Sequence, residues 1–110
     1  AQVCARVIAE SGHDGATYQL AGPEVLSQDD MAHILSELLQ RPISAARKWA
    51  EDMLRETAAA GLPSERIETM VRMNAHYDAH GLVGNPNVLR WLLGREPTTY
   101  RGFIQRELLS

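Results

Sequence analysis

Residues 76 to 81 read HYDAHG, two histidines four apart with an aspartate between them and a glycine behind. On a helix, positions i and i+4 are neighbours, so His76 and His80 have the separation that a helical zinc pair requires. A metal needs three or four ligands, however, and the zinc-protease motif places Glu directly after the first His, where this sequence has Tyr77. No metal is expected, and the pair reads as solvated or groove-lining. The opposite face of the same helix offers different chemistry. At about 100° per residue, Ile67, Met70, Val71, Asn74, Tyr77 and Asp78 cluster together, away from the histidines. Asn74 and Asp78 are polar groups inside an apolar stripe, and burying either without a partner is costly. Each must make a capping or inter-helix hydrogen bond, lie at the wet end of the helix, or face a cavity. If a pocket exists, its substrate-binding residues are expected to be Met70, Asn74, Tyr77 and Asp78. Asp78 or His80 is then the place for a general acid or base, because proton transfer needs no cofactor. No catalytic residue is assigned.

Other reactive groupings are missing. Ser11, Ser27, Ser36, Ser44, Ser64 and Ser110 lack a GxSxG setting, and Cys4, the single cysteine, reads as a buried, inert thiol. One cysteine excludes an internal disulfide, a zinc knuckle and a CxxC redox site. GHDG and GLVG lack the glycine spacing and strand-to-helix context of a phosphate loop, so no dinucleotide cofactor is expected on this chain. Trp49 with Met53, Met70 and Met73 reads as core filling or as the wall of an adaptable apolar pocket.

The elements that must position these residues are mostly helices. AQVCARVIAE is helical in pattern from its first residue, with Val3, Cys4, Val7 and Ile8 on one face and no capping residue before them, which points to a cut at residue 1. SGHDG ends that helix, and TYQLA, residues 17 to 21, alternates as a short strand does. Ser27 and Asp30 form a capping-box pair ahead of Met31, Ile34, Leu35, Leu38 and Leu39, a one-sided helical stripe that Arg41-Pro42 closes. ISAAR, residues 43 to 47, is a strand or an extended linker. Further helices are expected from about Lys48 to Ala60, closed by Gly61, and from a Ser64 N-cap to His80, closed by Gly81. A brief helix, VLRWLLG, and a last one capped by Thr98 or Thr99 complete the chain. Gly102 inside the last helix costs roughly 1 kcal/mol against Ala, and close approach of another backbone is the expected reason. The fold class is mainly α with one or two short β-strands, in a single domain spanning 1–110. One or two strands do not make a sheet, so their partners must come from elsewhere.

Totals narrow the function classes. The 110 residues are 45% apolar, enough for one modest core. A net charge of −3 with no basic tract gives no source of attraction to nucleic acid, and no apolar run reaches a bilayer span. The expectation is a soluble, cytoplasmic protein without nucleic-acid or membrane partners.

Together the segments resemble the carboxyl-terminal part of the NmrA-like, atypical short-chain dehydrogenase/reductase family. The family pattern Y-x-L-T-G-P-E, then L-S and an amphipathic helix, is met by Tyr18, Leu20, Gly22, Pro23, Glu24, Leu26 and Ser27, with Ala21 in place of the Thr. Its closing pattern, G-R-x-P-x-T-f-x-x-F, is met by Gly94, Arg95, Pro97, Thr99, Tyr100 and Phe103. The resemblance implies a Rossmann-type protein that binds NAD(P)H when full-length, with this portion as its substrate-side lobe. The glycine-rich half that would grip the pyrophosphate has no counterpart here. The expected function is a small-molecule-binding lobe without a dinucleotide site, self-associating as a homodimer to supply the missing strand partners. Two alternatives stand: an interaction module docking a separate nucleotide-binding subunit, or a fragment of an NAD(P)H-dependent oxidoreductase.

Overall fold

A computed structural model describes residues 1–110 as six helices: α1 (Gln2–Ala9), α2 (Gln28–Leu39), α3 (Ala50–Ala59), α4 (Ser64–His80), α5 (Asn87–Leu93) and α6 (Tyr100–Leu108). They fall into two compact units, one of residues 1–45 and 83–110, the other of residues 46–82. None of the helices is long and apolar enough to cross a membrane.

In the first unit α1 packs on α5 and α2 on α6. The start of α2 follows from local chemistry. The Asp30 amide donates to Ser27 Oγ at 3.1 Å while the Ser27 amide donates to Asp30 Oδ2 at 2.9 Å, so two otherwise orphaned amides are satisfied reciprocally. Aspartate thus performs the role more often given to glutamate. Ala32 is buried, and Met31, Ile34, Leu35, Leu38 and Leu39 are half-buried along the expected stripe. Thr99 caps α6 by accepting from the Gly102 amide at 3.1 Å. A second carboxylate reaches the same helix start, since Glu24 Oε2 accepts from the Tyr100 amide at 2.8 Å. Negative charge there is favoured by the unpaired amides of a first turn. The GPE turn and the P-x-T-Y motif, far apart in sequence, therefore meet at one helix end. Arg6 donates to the Leu92 carbonyl at the end of α5, and Arg101 pairs with Glu37 between α6 and α2.

The second unit is a helix hairpin. Gly61, at φ 76°, donates to the Ala58 carbonyl at 3.0 Å and Leu62 to that of Thr57 at 3.3 Å, a Schellman end for α3. Pro63 then occupies the N-cap of α4, with its carbonyl accepting from Arg66 and Ile67. Ser64, expected as the cap, is the first helical residue and makes no capping bond. Only Ile67 is buried in this unit.

Three further expectations are corrected. No β-strand forms, and the architecture is all-helical. Residues 17–26 make no backbone–backbone hydrogen bond, because alternation describes the faces of a strand and cannot supply its neighbour. ISAAR, expected as a strand or an extended linker, is the linker: the Ile43 amide donates to Ser36 Oγ at 2.9 Å, and its carbonyl lies within reach of the same hydroxyl. Cys4 is exposed, since α1 buries Val3, half-buries Val7 and leaves Cys4 and Ile8 open. Gly102 faces no foreign backbone; an added Cβ would stand 3.2 Å from Thr99 Oγ1, so the glycine leaves room for the capping hydroxyl. The close approach occurs at Gly84, where a Cβ would come within 2.6 Å of the Ala21 Cβ.

Candidate functional site

The second unit contains a half-open cleft of about 210 Å³. Met53 on one side and Val71, Asn74, Ala75 and Asp78 on the other line it, and Arg47, Lys48 and Trp49 form its rim. Its position follows from the hairpin. α3 turns Met53 towards α4, and the helical period of α4 turns 71, 74, 75 and 78 back towards α3. Trp49 stands at the N-cap of α3, extended at ψ 150°, and borders the cleft with 61% of the residue exposed.

Asn74 is the polar centre. Its Nδ2 donates to the Met70 carbonyl at 2.9 Å and approaches Met53 Sδ at 3.4 Å. The amide nitrogen is thus satisfied within the hairpin, and Oδ1 is the acceptor left without a protein partner. Asp78, one turn further on, forms no ion pair. Cations border the same space. The Arg47 guanidinium lies 4.6 Å from the Trp49 ring centroid, a cation–π distance, and Lys48 pairs with Glu56. The cleft therefore joins an aromatic plate and an adaptable thioether to an amide, a carboxylate and two cationic donors. Ligand clefts commonly combine apolar and aromatic walls with a few such polar groups.

The four residues expected from the sequence divide. Asn74 and Asp78 share the cleft, whereas Met70 lines a separate depression with Leu62, Glu65, Arg66 and Thr69. Tyr77 is 37% exposed, edge-on to His76, and lines neither. The two histidines are exposed with ring centroids 4.6 Å apart, and no group of three or more His, Cys, Asp or Glu side chains is placed to hold a metal. Arg47 and Lys48 escape sequence reasoning, because a pair of cations before a helix has the pattern of a solvated surface. Their adjacency to Trp49 is the one signal that could have found them.

The glycines do not fit a dinucleotide's pyrophosphate. Gly12 and Gly15 take positive φ but lead into the extended residues 16–26 rather than a helix, and α5, which follows Gly81 and Gly84, starts behind Pro86. A phosphate cradle needs consecutive amides opening directly into a helix.

Over 99 residues, 90% of its length, the chain is 26% identical to quinone oxidoreductase 2 of Escherichia coli strain K12 and covers 35% of it. The likeness is to a part of that protein. The crystal structure of an NADPH-dependent quinone oxidoreductase from Escherichia coli superposes with a TM-score of 0.72 at 24% identity, over 96% of this chain and 38% of that one. A triphenylmethane reductase from Citrobacter sp. gives 0.69 at 22%, over 98% and 37%. The fold matches the carboxyl-terminal part of the quinone oxidoreductase. This chain thus spans little more than a third of the relatives' length, and the similarity supports the resemblance drawn from its motifs. No protein-family model matches it.

Proposed function

We propose that the chain is the small-molecule-binding, substrate-side lobe of a reductase-like architecture, that it has no dinucleotide site of its own, and that it self-associates. The observation that carries the reading is the cleft of Trp49, Met53, Asn74 and Asp78 on a chain similar over 90% of its length to part of a quinone oxidoreductase. Its ligand is a planar, conjugated molecule with oxygen-bearing edges, of the quinone class. Trp49 offers a stacking surface, Met53 adapts to the ring, and Arg47 or Lys48 donates to a carbonyl oxygen. Asp78 orients a polar group of the ligand. Any chemistry of the chain alone is acid–base and non-redox, with Asp78 in the cleft or His80 on the outer face of α4 as the proton-transfer group.

A second reading is favoured by coverage. The matched relatives have nearly two thirds of their length beyond the similar region, so the lobe is suited to docking a nucleotide-binding partner that would supply NAD(P)H. Mixing the chain with a nucleotide-binding half of such a reductase and following quinone-dependent NADPH oxidation tests it. The reading fails if the mixture is no faster than its parts.

Fluorescence decides the first reading. Trp49 and Trp91 are the only tryptophans, so Trp91→Phe leaves the cleft residue as sole reporter. Titration with a naphthoquinone such as menadione should give a saturable change, where free tryptophan amide gives only linear collisional quenching. NADPH should give none. Asp78→Ala should weaken binding of the hydroquinone form, whose hydroxyl can donate to the carboxylate, about tenfold, ~1.4 kcal/mol, with the unliganded spectrum unchanged. Linear quenching alone, or saturation by NADPH, would refute the assignment.

A further inference from the structure

We infer that the cleft of the second unit discriminates between the redox forms of its ligand, and that Asn74 and Asp78 make it hold the hydroquinone more tightly than the quinone. The inference rests on the quinone-class ligand proposed above and names the form that the site selects.

Arg47, Lys48, Asn74 and Asp78 supply the polar edge of the cleft, and they differ in what is left to offer. Asn74 Nδ2 lies 2.9 Å from the Met70 carbonyl. A carbonyl can only accept, so the atom beside it must be the NH2 group and the free atom is Oδ1. Asp78 lines the same cleft one turn further along α4, at a spacing that sets Cβ atoms about 5–6 Å apart. No cation of the protein pairs with its carboxylate. It also stands in the last turn of α4, where the unpaired carbonyl ends disfavour negative charge. Helix stability is therefore no reason for an acid at this position. The donors are more fully engaged. Lys48 pairs with Glu56, and the Arg47 guanidinium lies on the Trp49 ring, 4.6 Å from its centroid, without a carboxylate partner.

A quinone oxygen accepts and cannot donate, whereas a hydroquinone hydroxyl does both. Any bond that Arg47 donates to the quinone it can equally donate to a lone pair of the hydroquinone. Only the hydroquinone can also donate to Asn74 Oδ1 and to the Asp78 carboxylate, the second bond being charge-assisted. A quinone in the same place displaces water from two acceptors and leaves them unpaired. Sites that offer hydrogen bonds to a ligand hydroxyl reject the analogue without it for this reason. Trp49 and Met53 meet the same ring outline in both forms, so the selection falls to the polar edge. The ligand held best is thus the product of a two-electron quinone reduction.

Anaerobic fluorescence titration of the Trp91→Phe chain tests this with three probes. They are menadione, its hydroquinone menadiol, and the dimethyl ether of menadiol, which keeps the ring and the oxygens but has no O–H to donate. Menadiol should bind at least about tenfold more tightly than either of the others. By linkage, protein that saturates both redox forms should then raise the midpoint potential of the menadione couple by about 30 mV. Asn74→Leu/Asp78→Ala in the same background should bring the affinities for menadiol and menadione to within about twofold of each other. Equal affinities before those substitutions, a dimethyl ether that binds as well as menadiol, or a preference that survives the substitutions would each overturn the selection. Saturable titrations in any of those cases still uphold the ligand site. Failure of every probe to saturate overturns the site and the selection together.

Discussion

Asn74 holds its amide nitrogen between a backbone carbonyl and a thioether sulfur, 2.9 Å from one and 3.4 Å from the other. Both an inter-helix hydrogen bond and a cavity-facing position were open readings of this residue; its Nδ2 approaches Met53 across the hairpin, and the residue lines the cleft. Asn74→Leu should separate them. It removes the bond to Met70 and the free acceptor together but keeps the volume, so affinity for the hydroquinone form of menadione, whose hydroxyls can donate to Oδ1, should fall while thermal stability changes by no more than about 1 kcal/mol. Stability falling with affinity unaltered would make Asn74 a structural residue only. Ser27 shows the purely structural case. Its hydroxyl takes the Asp30 amide, so Ser27→Ala should cost about 1 kcal/mol in denaturant unfolding of the first unit and leave ligand titrations untouched. Gly84→Ala, by contrast, forces a methyl against the Ala21 Cβ with no flexible atom to yield. A loss of about 1–3 kcal/mol is expected, the overpacking range.

Elements differ in how much of their cause is local. α2 was legible because everything that starts it, Ser27 with Asp30 and a stripe of apolar residues, lies within about a dozen positions. The α3 end was legible for the same reason, with Gly61 supplying the left-handed turn. TYQLA was misread because its alternation is real but its pairing is not encoded nearby. Cys4 was misplaced because a helical wheel assigns a face and says nothing of how far that face is covered. At the site, Asn74 and Asp78 were found as polar breaks in an apolar stripe, whereas Met70 and Tyr77 share that stripe and look elsewhere: a stripe about 100° wide can border two depressions. The α2–α6 pair also carries the acid response of the fold. Hydrogen bonds from the Ser27 amide and then its hydroxyl hold Asp30 below its ordinary 3.8, and Arg101, by hydrogen bond and then by charge, holds Glu37 below its ordinary 4.5. Both values are lower folded than unfolded. Their contribution is therefore complete above about pH 5 and is lost as pH falls through the depressed values. Melting temperature should drop on acidification from pH 5 towards 3, and Glu37→Gln should flatten that drop; an unchanged acid limb would exclude Glu37 as a source.

At the scale of the whole molecule, stability is unevenly distributed. The first unit has Val3, Ala32 and Ile104 buried along with Pro97, whereas the second has Ile67 alone. A hairpin with one buried side chain opens more readily than the helices of the first unit, because few apolar contacts oppose its conformational entropy. Amide hydrogen exchange should accordingly be fastest across α3 and α4 and slowest in α2 and α6. The candidate site lies on this weaker unit, which gives ligand binding a large and localised effect. A ligand that binds only the closed hairpin, at a hundred times its dissociation constant, adds about 2.7 kcal/mol to the opening free energy of the segment it holds. Saturating menadione should therefore slow exchange in residues 50–59 and 64–80 by about a hundredfold while leaving α2 and α6 unchanged. Protection appearing instead in α1 and α5 would move the ligand to the cleft of Val3, Leu20, Leu89 and Leu93.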